Sequence, residues 1–296
     1  MDLKEELKKK ALLVENALEG YLPLPDTYPA VIHQAVRYSV FAGGKRLRPA
    51  LVMAGAEAVG GDPQKVLPAA CALELLHTYS LVHDDLPAMD NDDYRRGKPT
   101  SHKVFGEAVA VLAGDALLTL SFQLLAENAA GGSAGPEDVL RVIGEVAVAA
   151  GTFGMIGGQV VDIFSAGRAV DADTIKYIHS HKTASICRVA VRAGAILAGA
   201  KEAPLAALTD YAGHLGLAFQ IKDDLLDFEG EAEKIGKPVG SDLRNKKATY
   251  PLVFGVEEAR AEAGRAADRA LAALECFGSE VEFLRRLAYF VIDRES

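Results

Sequence analysis

The stretch His83-Asp84-Asp85-Leu86-Pro87-Ala88-Met89-Asp90-Asn91-Asp92-Asp93-Tyr94-Arg95-Arg96 crowds five acids into ten residues and closes on two arginines. Carboxylates at this density repel one another unless a cation sits among them. Their oxygens are hard ligands suited to Mg2+, which keeps several waters and shares substrate phosphates. Arg95 and Arg96 offer planar forks matched to phosphate oxygens. Acids for a metal beside arginines for phosphate point to one ligand, a metal diphosphate. A solvated acidic loop is the competing reading of an isolated run of mixed charge. Here the run follows Leu73 to Val82, which read as a buried helix, and a buried helix does not end in ordinary surface.

A second cluster bears on the choice. Gln220-Ile221-Lys222-Asp223-Asp224-Leu225-Leu226-Asp227 follows its own apolar run, Leu215 to Phe219. On a helix Asp223 and Asp227 share a face, with Gln220 one turn earlier. Two carboxylate-tipped helices can then face each other across one cavity and hold several Mg2+ ions around a diphosphate.

Helices must do the positioning. Period-two alternation is nearly absent, while helical periodicity runs throughout. Expected helices cover about 2–20, 29–42, 49–60, 65–85, 102–129, 137–167, 171–180, 181–200, 204–228, 249–275 and 280–293. Pro87 disfavours helix at Leu86, so Asp90 and its followers sit on a bent extension that can bring Asp84 and Asp90 to one metal. No repeat or linker divides the chain, which predicts a single all-α domain over residues 1–296.

Other stretches carry chemistry only in company. Gly43-Gly44-Lys45-Arg46-Leu47-Arg48-Pro49 puts cations just after a glycine turn, where Lys45 and Arg48 can grip phosphate; alone it is a solvated basic turn. His77 lies two turns before Asp84 on the same face, either in the cavity or as a core histidine. His181-Lys182-Thr183 is a cation and a hydroxyl near a helix start, or simply a cap. In Gly157-Gly158-Gln159-Val160-Val161-Asp162, Gln159 can reach the cavity, or the glycines serve close helix packing. Ile235-Gly236-Lys237-Pro238 can close over phosphate, or is a surface loop.

Taken together, the two aspartate-rich motifs, Gly-Gly-Lys-Arg-Leu-Arg-Pro and His-Lys-Thr resemble the trans-isoprenyl diphosphate synthases, above all the bacterial farnesyl diphosphate synthases. The likeness runs from about residue 28 to 254. It implies an all-α isoprenoid-synthase bundle that condenses isopentenyl diphosphate head-to-tail with dimethylallyl and geranyl diphosphates in a reaction that requires Mg2+. By this resemblance Asp84, Asp90 and Asp223 coordinate three Mg2+ ions, and Asp85, Asp224 and Asp227 complete the catalytic carboxylates. Arg95, Lys182 and Lys237 would bind the allylic diphosphate, and Lys45, Arg48, His77 and Arg96 that of isopentenyl diphosphate. Thr183 and Gln220 would face the allylic carbon, with the released pyrophosphate as base. Tyr79, about 7.5 Å before Asp84 along the helix, resembles an aromatic floor that stops the product at C15, with Ser80 beside it too small to block; a plain core tyrosine is the other reading. The resemblance also implies a homodimer.

Composition is consistent with this. Half of the 296 residues are hydrophobic, and the formal charge of −9 gives a nucleic-acid role no support. Cys71, Cys187 and Cys276 form no metal spacing and no even disulfide set, which predicts reduced thiols and a cytoplasmic setting. The charged opening Met1 to Glu6 has no apolar signal region. Ala108–Ala126 is nearly apolar, but Asp115 and Gln123 predict a buried helix rather than a membrane span. A geranylgeranyl synthase, a terpene cyclase and a non-catalytic subunit of a heteromeric synthase are the alternatives. The cyclase lacks a use for Lys45, Arg48, His77 and Arg96, and the subunit has no need of intact acids and cations.

Overall fold

The computed structural model describes residues 2–130, 134–229 and 247–294. They form a bundle of helices with one two-stranded hairpin. Three helices bury most of their residues and lie inside. They are α3 (Leu47–Glu57), α4 (Leu67–Asp84) and α10 (Ser185–Leu197). Around them pack α1 (Leu3–Tyr21), α2 (Ala30–Val40), α6 (Glu107–Glu127), α7 (Pro136–Ala150), α8 (Met155–Ser165) and α11 (Glu202–Glu229). The main core runs from Val14 and Leu18 through Leu73 and Leu76 to Leu284 and Leu287. A smaller cluster joins Ile175, Ile221, Leu225 and Tyr250.

Several expected helices are shorter than the periodicity predicts. The one over 102–129 is two: α5 (Ser101–Phe105) and α6, parted by Gly106 at φ 84°. That over 249–275 divides into α12 (Tyr250–Phe254) and α13 (Val256–Ala273) at Gly255, φ 85°. These left-handed positions suit glycine and end the helical hydrogen bonding. The helix over 137–167 breaks between Ala150 and Met155. The chain closes with α14 (Glu282–Asp293).

In the opposite sense, two expected helices are one. α9 (Ala172–Ile178) continues through a π turn, His179–Ala184, into α10. His181-Lys182-Thr183 is thus no cap. A π turn adds a residue within a helix and re-aims the side chains around it, which is why such turns gather at functional sites.

A short hairpin, Tyr94–Arg95 against Lys98–Pro99, is the departure from all-helix in the described residues. Arg96 and Gly97 at its tip both have positive φ, the geometry of a tight two-residue turn. The apolar run Ala108–Ala126 packs one face of α6 on α4 and α2. Its other face stays open at Val111 and Leu112, so the helix is half covered rather than buried as expected. Among the described residues, Glu107–Glu127 and Pro136–Ser165 are long and apolar enough to cross a membrane by length and composition.

Candidate active site

A cavity of about 950 Å3 opens between α4, α8, α10 and α11. Its lining includes the half-open Asp223, the carboxylates Asp84, Asp224 and Asp227, and apolar walls at Tyr79, Leu118, Ile156 and Ile163. Lys45, Arg48, His77, Ser80, Arg95, Arg96, Gln159, Lys182, Thr183 and Gln220 reach it too. The two acidic clusters thus meet across one space. Lys237 falls outside the described residues.

The end of α4 aims the first cluster. Beyond Asp84 the chain folds back, and the Asp90 amide donates to the Asp84 carbonyl at 2.8 Å. The bend predicted from Pro87 is present. Asp84 accepts from Gln159 Nε2 at 2.9 Å, and burial pushes its carboxyl up. Asp85 turns away and accepts both Nε and Nη2 of Arg95 at 2.5–3.0 Å. Burial works against charge on Arg95, but the bond to Asp85 outweighs it and raises the guanidinium. Asp90 stands beside the cavity rather than on its lining and accepts from Lys247 Nζ at 2.8 Å.

On α11 the helix geometry divides the carboxylates. Asp224 and Asp227 are buried, whereas the Asp223 side chain is half-open and accepts from Arg294 at 2.7 Å. Gln220 bonds to Asp224, one turn on, rather than sharing a bond with Asp223. The π turn presents Lys182 to Asp162 at 2.6 Å and Thr183 to Gln220 at 2.6 Å. Gly158 allows this: a Cβ there would meet the Lys182 backbone nitrogen at 2.4 Å. The glycines therefore serve close packing and the adjacent Gln159 serves the cavity.

The basic motif is held from within. Arg46 has φ 49° and is almost fully buried. It donates to Glu74 at 2.6 Å and to the Val40 carbonyl at 2.8 Å, and lies near Glu15. This anchor leaves Lys45 and Arg48 directed to the cavity. Arg96 donates to the Gly43 carbonyl and packs on Gly44. Burial, then Arg48 and Arg96, hold His77 well below its usual range, so its imidazole is neutral. Hydrogen bonding, not charge, is what it can offer.

Among the described residues no three His, Cys, Asp or Glu side chains converge to cage a metal by themselves. Separate carboxylates giving one or two oxygens each, with phosphate and water completing the shell, suit Mg2+ better than an all-protein cage. Asp84 and Asp223 on opposite sides of the mouth fit that donor set.

An α-helical bundle with carboxylates and cations at the mouth of an apolar cavity defines an enzyme that handles prenyl diphosphates. The model for the polyprenyl synthetase family matches residues 29–279, and the chain belongs to that family; it is a trans-prenyltransferase. It is 49% identical over 260 residues to the farnesyl diphosphate synthase of Geobacillus stearothermophilus, covering 88% of this chain and 87% of that one. It is 44% identical over 291 residues to the geranylgeranyl diphosphate synthase of Cyanophora paradoxa, covering 98% and 96%. The crystal structure of geranylgeranyl pyrophosphate synthetase from Pyrococcus horikoshii superposes with a TM-score of 0.90 at 32% identity, over 99% and 98% of the two chains.

Sequence reasoning did not single out Arg46, Glu74, Asp162, His179, Lys247 or Arg294. A lone acid three residues before His77 in an apolar helix was a usable signal for Glu74. Asp162 lay in a quoted stretch without a role. Nothing in the sequence ties Arg294 to Asp223, because that contact joins distant ends of the fold.

Two outcomes follow from this geometry. Arg46→Met leaves the Glu74 charge buried without its partner and should cost about 3 kcal/mol, read as a lower denaturant midpoint. The unfolded His77 imidazole takes a proton near pH 6.5 and the folded one does not, so stability should fall as pH drops below that value. In thermal melts from about pH 7.5 to about pH 5.5, His77→Gln should lose less than the parent. Equal losses in the two proteins would remove His77 from this role.

Proposed function

We propose that this protein condenses isopentenyl diphosphate with dimethylallyl and then geranyl diphosphate, 1′ to 4, releasing pyrophosphate and ending at farnesyl diphosphate, C15. The observation that carries this is one apolar cavity with both carboxylate clusters and a ring of cations at its mouth. A whole chain acting as one domain fits that arrangement.

Asp84, Asp90 and Asp223 would hold Mg2+, three ions with substrate bound, with Asp85 and Asp227 in support. When bound, Mg2+ supplies Lewis-acid neutralisation of the diphosphate as its C–O bond breaks. Arg95, Lys182 and Lys237 bind and orient the allylic diphosphate. Lys45, Arg48, His77 and Arg96 hold the diphosphate of isopentenyl diphosphate. Thr183 and Gln220 line the region where the allylic carbon becomes positive. The apolar walls exclude water that would capture that carbon. The isopentenyl double bond attacks it, and pyrophosphate takes the proton lost from the adduct.

Product length rests on Tyr79. It is 5% exposed, lines the cavity, and packs edge-on against His83. Burial first, then Asp84, push its phenol up to about 12, so it stays a neutral aromatic wall. Ser80 turns its hydroxyl back to the His77 carbonyl and adds little bulk. The likeness to the Cyanophora geranylgeranyl synthase supports a C20 product as the second reading.

A second copy of the chain is proposed to cover the exposed apolar faces at Val111, Leu112, Leu140 and Val148. The free thiols of Cys71, Cys187 and Cys276 suit a reducing, cytoplasmic setting.

Product analysis with isopentenyl plus dimethylallyl or geranyl diphosphate should give C15 with Mg2+ and nothing with EDTA. Tyr79→Ala should lengthen the main product by at least one five-carbon unit. An unchanged C15 product from that variant sinks the floor, and a hydrocarbon made from one longer diphosphate alone favours a cyclase. Sedimentation should show a dimer that Leu112→Glu weakens; a monomeric parent overturns the dimer.

A further inference from the structure

A chain of polar side chains runs from behind the cavity wall to its surface. Its fixed point is a backbone donor. The Tyr250 amide gives its proton to Asp224 Oδ2 at 2.8 Å. His179 Nε2 lies 3.1 Å from the same oxygen. Both groups are buried, Asp224 at 4% exposure and His179 at 3%. The other oxygen, Oδ1, accepts from Gln220 Nε2 at 3.0 Å. A carboxylate only accepts, so the Gln220 amide must turn its NH2 to Asp224 and its oxygen the other way. That oxygen, Oε1, accepts the Thr183 hydroxyl at 2.6 Å.

The consequence falls on Thr183. A hydroxyl has one proton and two lone pairs. With the proton committed to Gln220, only lone pairs are left for the cavity that Thr183 lines. Threonine within a helix commonly turns its hydroxyl back on the preceding turn. In the π turn it instead reaches across to α11. A fixed dipole aimed at a site of developing charge stabilises it without reorganisation, and the same dipole reversed opposes it.

We propose that Asp224 and His179 are positioning residues that set the polarity of Thr183. They act through Gln220 and make the Thr183 oxygen a negative pole toward the allylic carbon. This rests on the proposed prenyl transfer. It gives Asp224 a task different from that of its neighbour Asp223, which faces the mouth beside Arg294.

Asp224→Asn tests it. An Asn that still accepts from the Tyr250 amide presents its NH2 to Gln220. Gln220 then turns over, and the Thr183 proton is driven into the cavity. The turnover number should fall about 10- to 100-fold, with the KM values for both diphosphates and for Mg2+ within about twofold. Thr183→Val should lose a similar amount, and Thr183→Ser should recover most of it. Should Asp224→Asn fold poorly, Gln220→Met, which cuts the chain while leaving the Tyr250 amide bonded to Asp224, is read on the Thr183→Val background, where it should add almost no loss, and an added loss there overturns the relay. The decisive result is the double mutant: Asp224→Asn should add almost no loss on a Thr183→Val background. Fully additive losses, or a raised KM for Mg2+ with the turnover number intact, overturn the proposal. A parent protein that makes no condensation product overturns the prenyl-transfer reading itself.

Discussion

Carboxylates at the end of an apolar helix lose their water, and the cost of that loss shapes everything around the cavity. Charge so placed survives only with partners in fixed geometry. Here four of the acids have one: Asp85 has Arg95, Asp90 has Lys247, Asp223 has Arg294, and Asp224 has a backbone amide. The partners come from widely separated parts of the sequence. The acidic mouth therefore forms only when the bundle as a whole has closed.

Division of labour among adjacent acids is the second theme. Asp84 and Asp85 are neighbours, yet one faces the cavity side with Gln159 and the other is locked to an arginine of the hairpin. Asp223 and Asp224 part in the same way. Successive residues on a helix diverge by about a quarter turn or more, so a pair of aspartates supplies one outward and one inward carboxylate. A cluster that reads as redundant charge is a set of distinct positions.

Much of this was legible in the sequence because it rests on local rules. Pro87 announced the bend that returns Asp90 to Asp84, and the apolar runs before each cluster announced buried helices. Gln159 and His77 carry two readings each until their neighbours are visible. The helix breaks at Gly106 and Gly255 were missed because apolar periodicity continues across them. The π turn was missed because it has no sequence signature, and it produced a false helix start at His181. Arg294 and Lys247 entered the site by long-range folding, which residue spacing does not encode. The open face of α6 is not legible in the sequence, because composition reports that a helix is apolar, not which of its sides finds a partner within the chain.

The Arg46–Glu74 pair carries an implication for how such a chain can change over time. Arg46 occupies a left-handed backbone position that arginine does not favour, and it stays there through a buried carboxylate on another helix. Loss of Arg46 strands the Glu74 charge in the core, whereas loss of Glu74 leaves Arg46 with Glu15 and the Val40 carbonyl. Glycine at position 46 would ease the backbone yet abandon Glu74. Position 46 is thus the harder of the two to exchange, because Glu74 depends on it while Arg46 keeps other partners. Lys45 and Arg48, which flank this anchor, inherit a permanence of position that does not depend on their own chemistry.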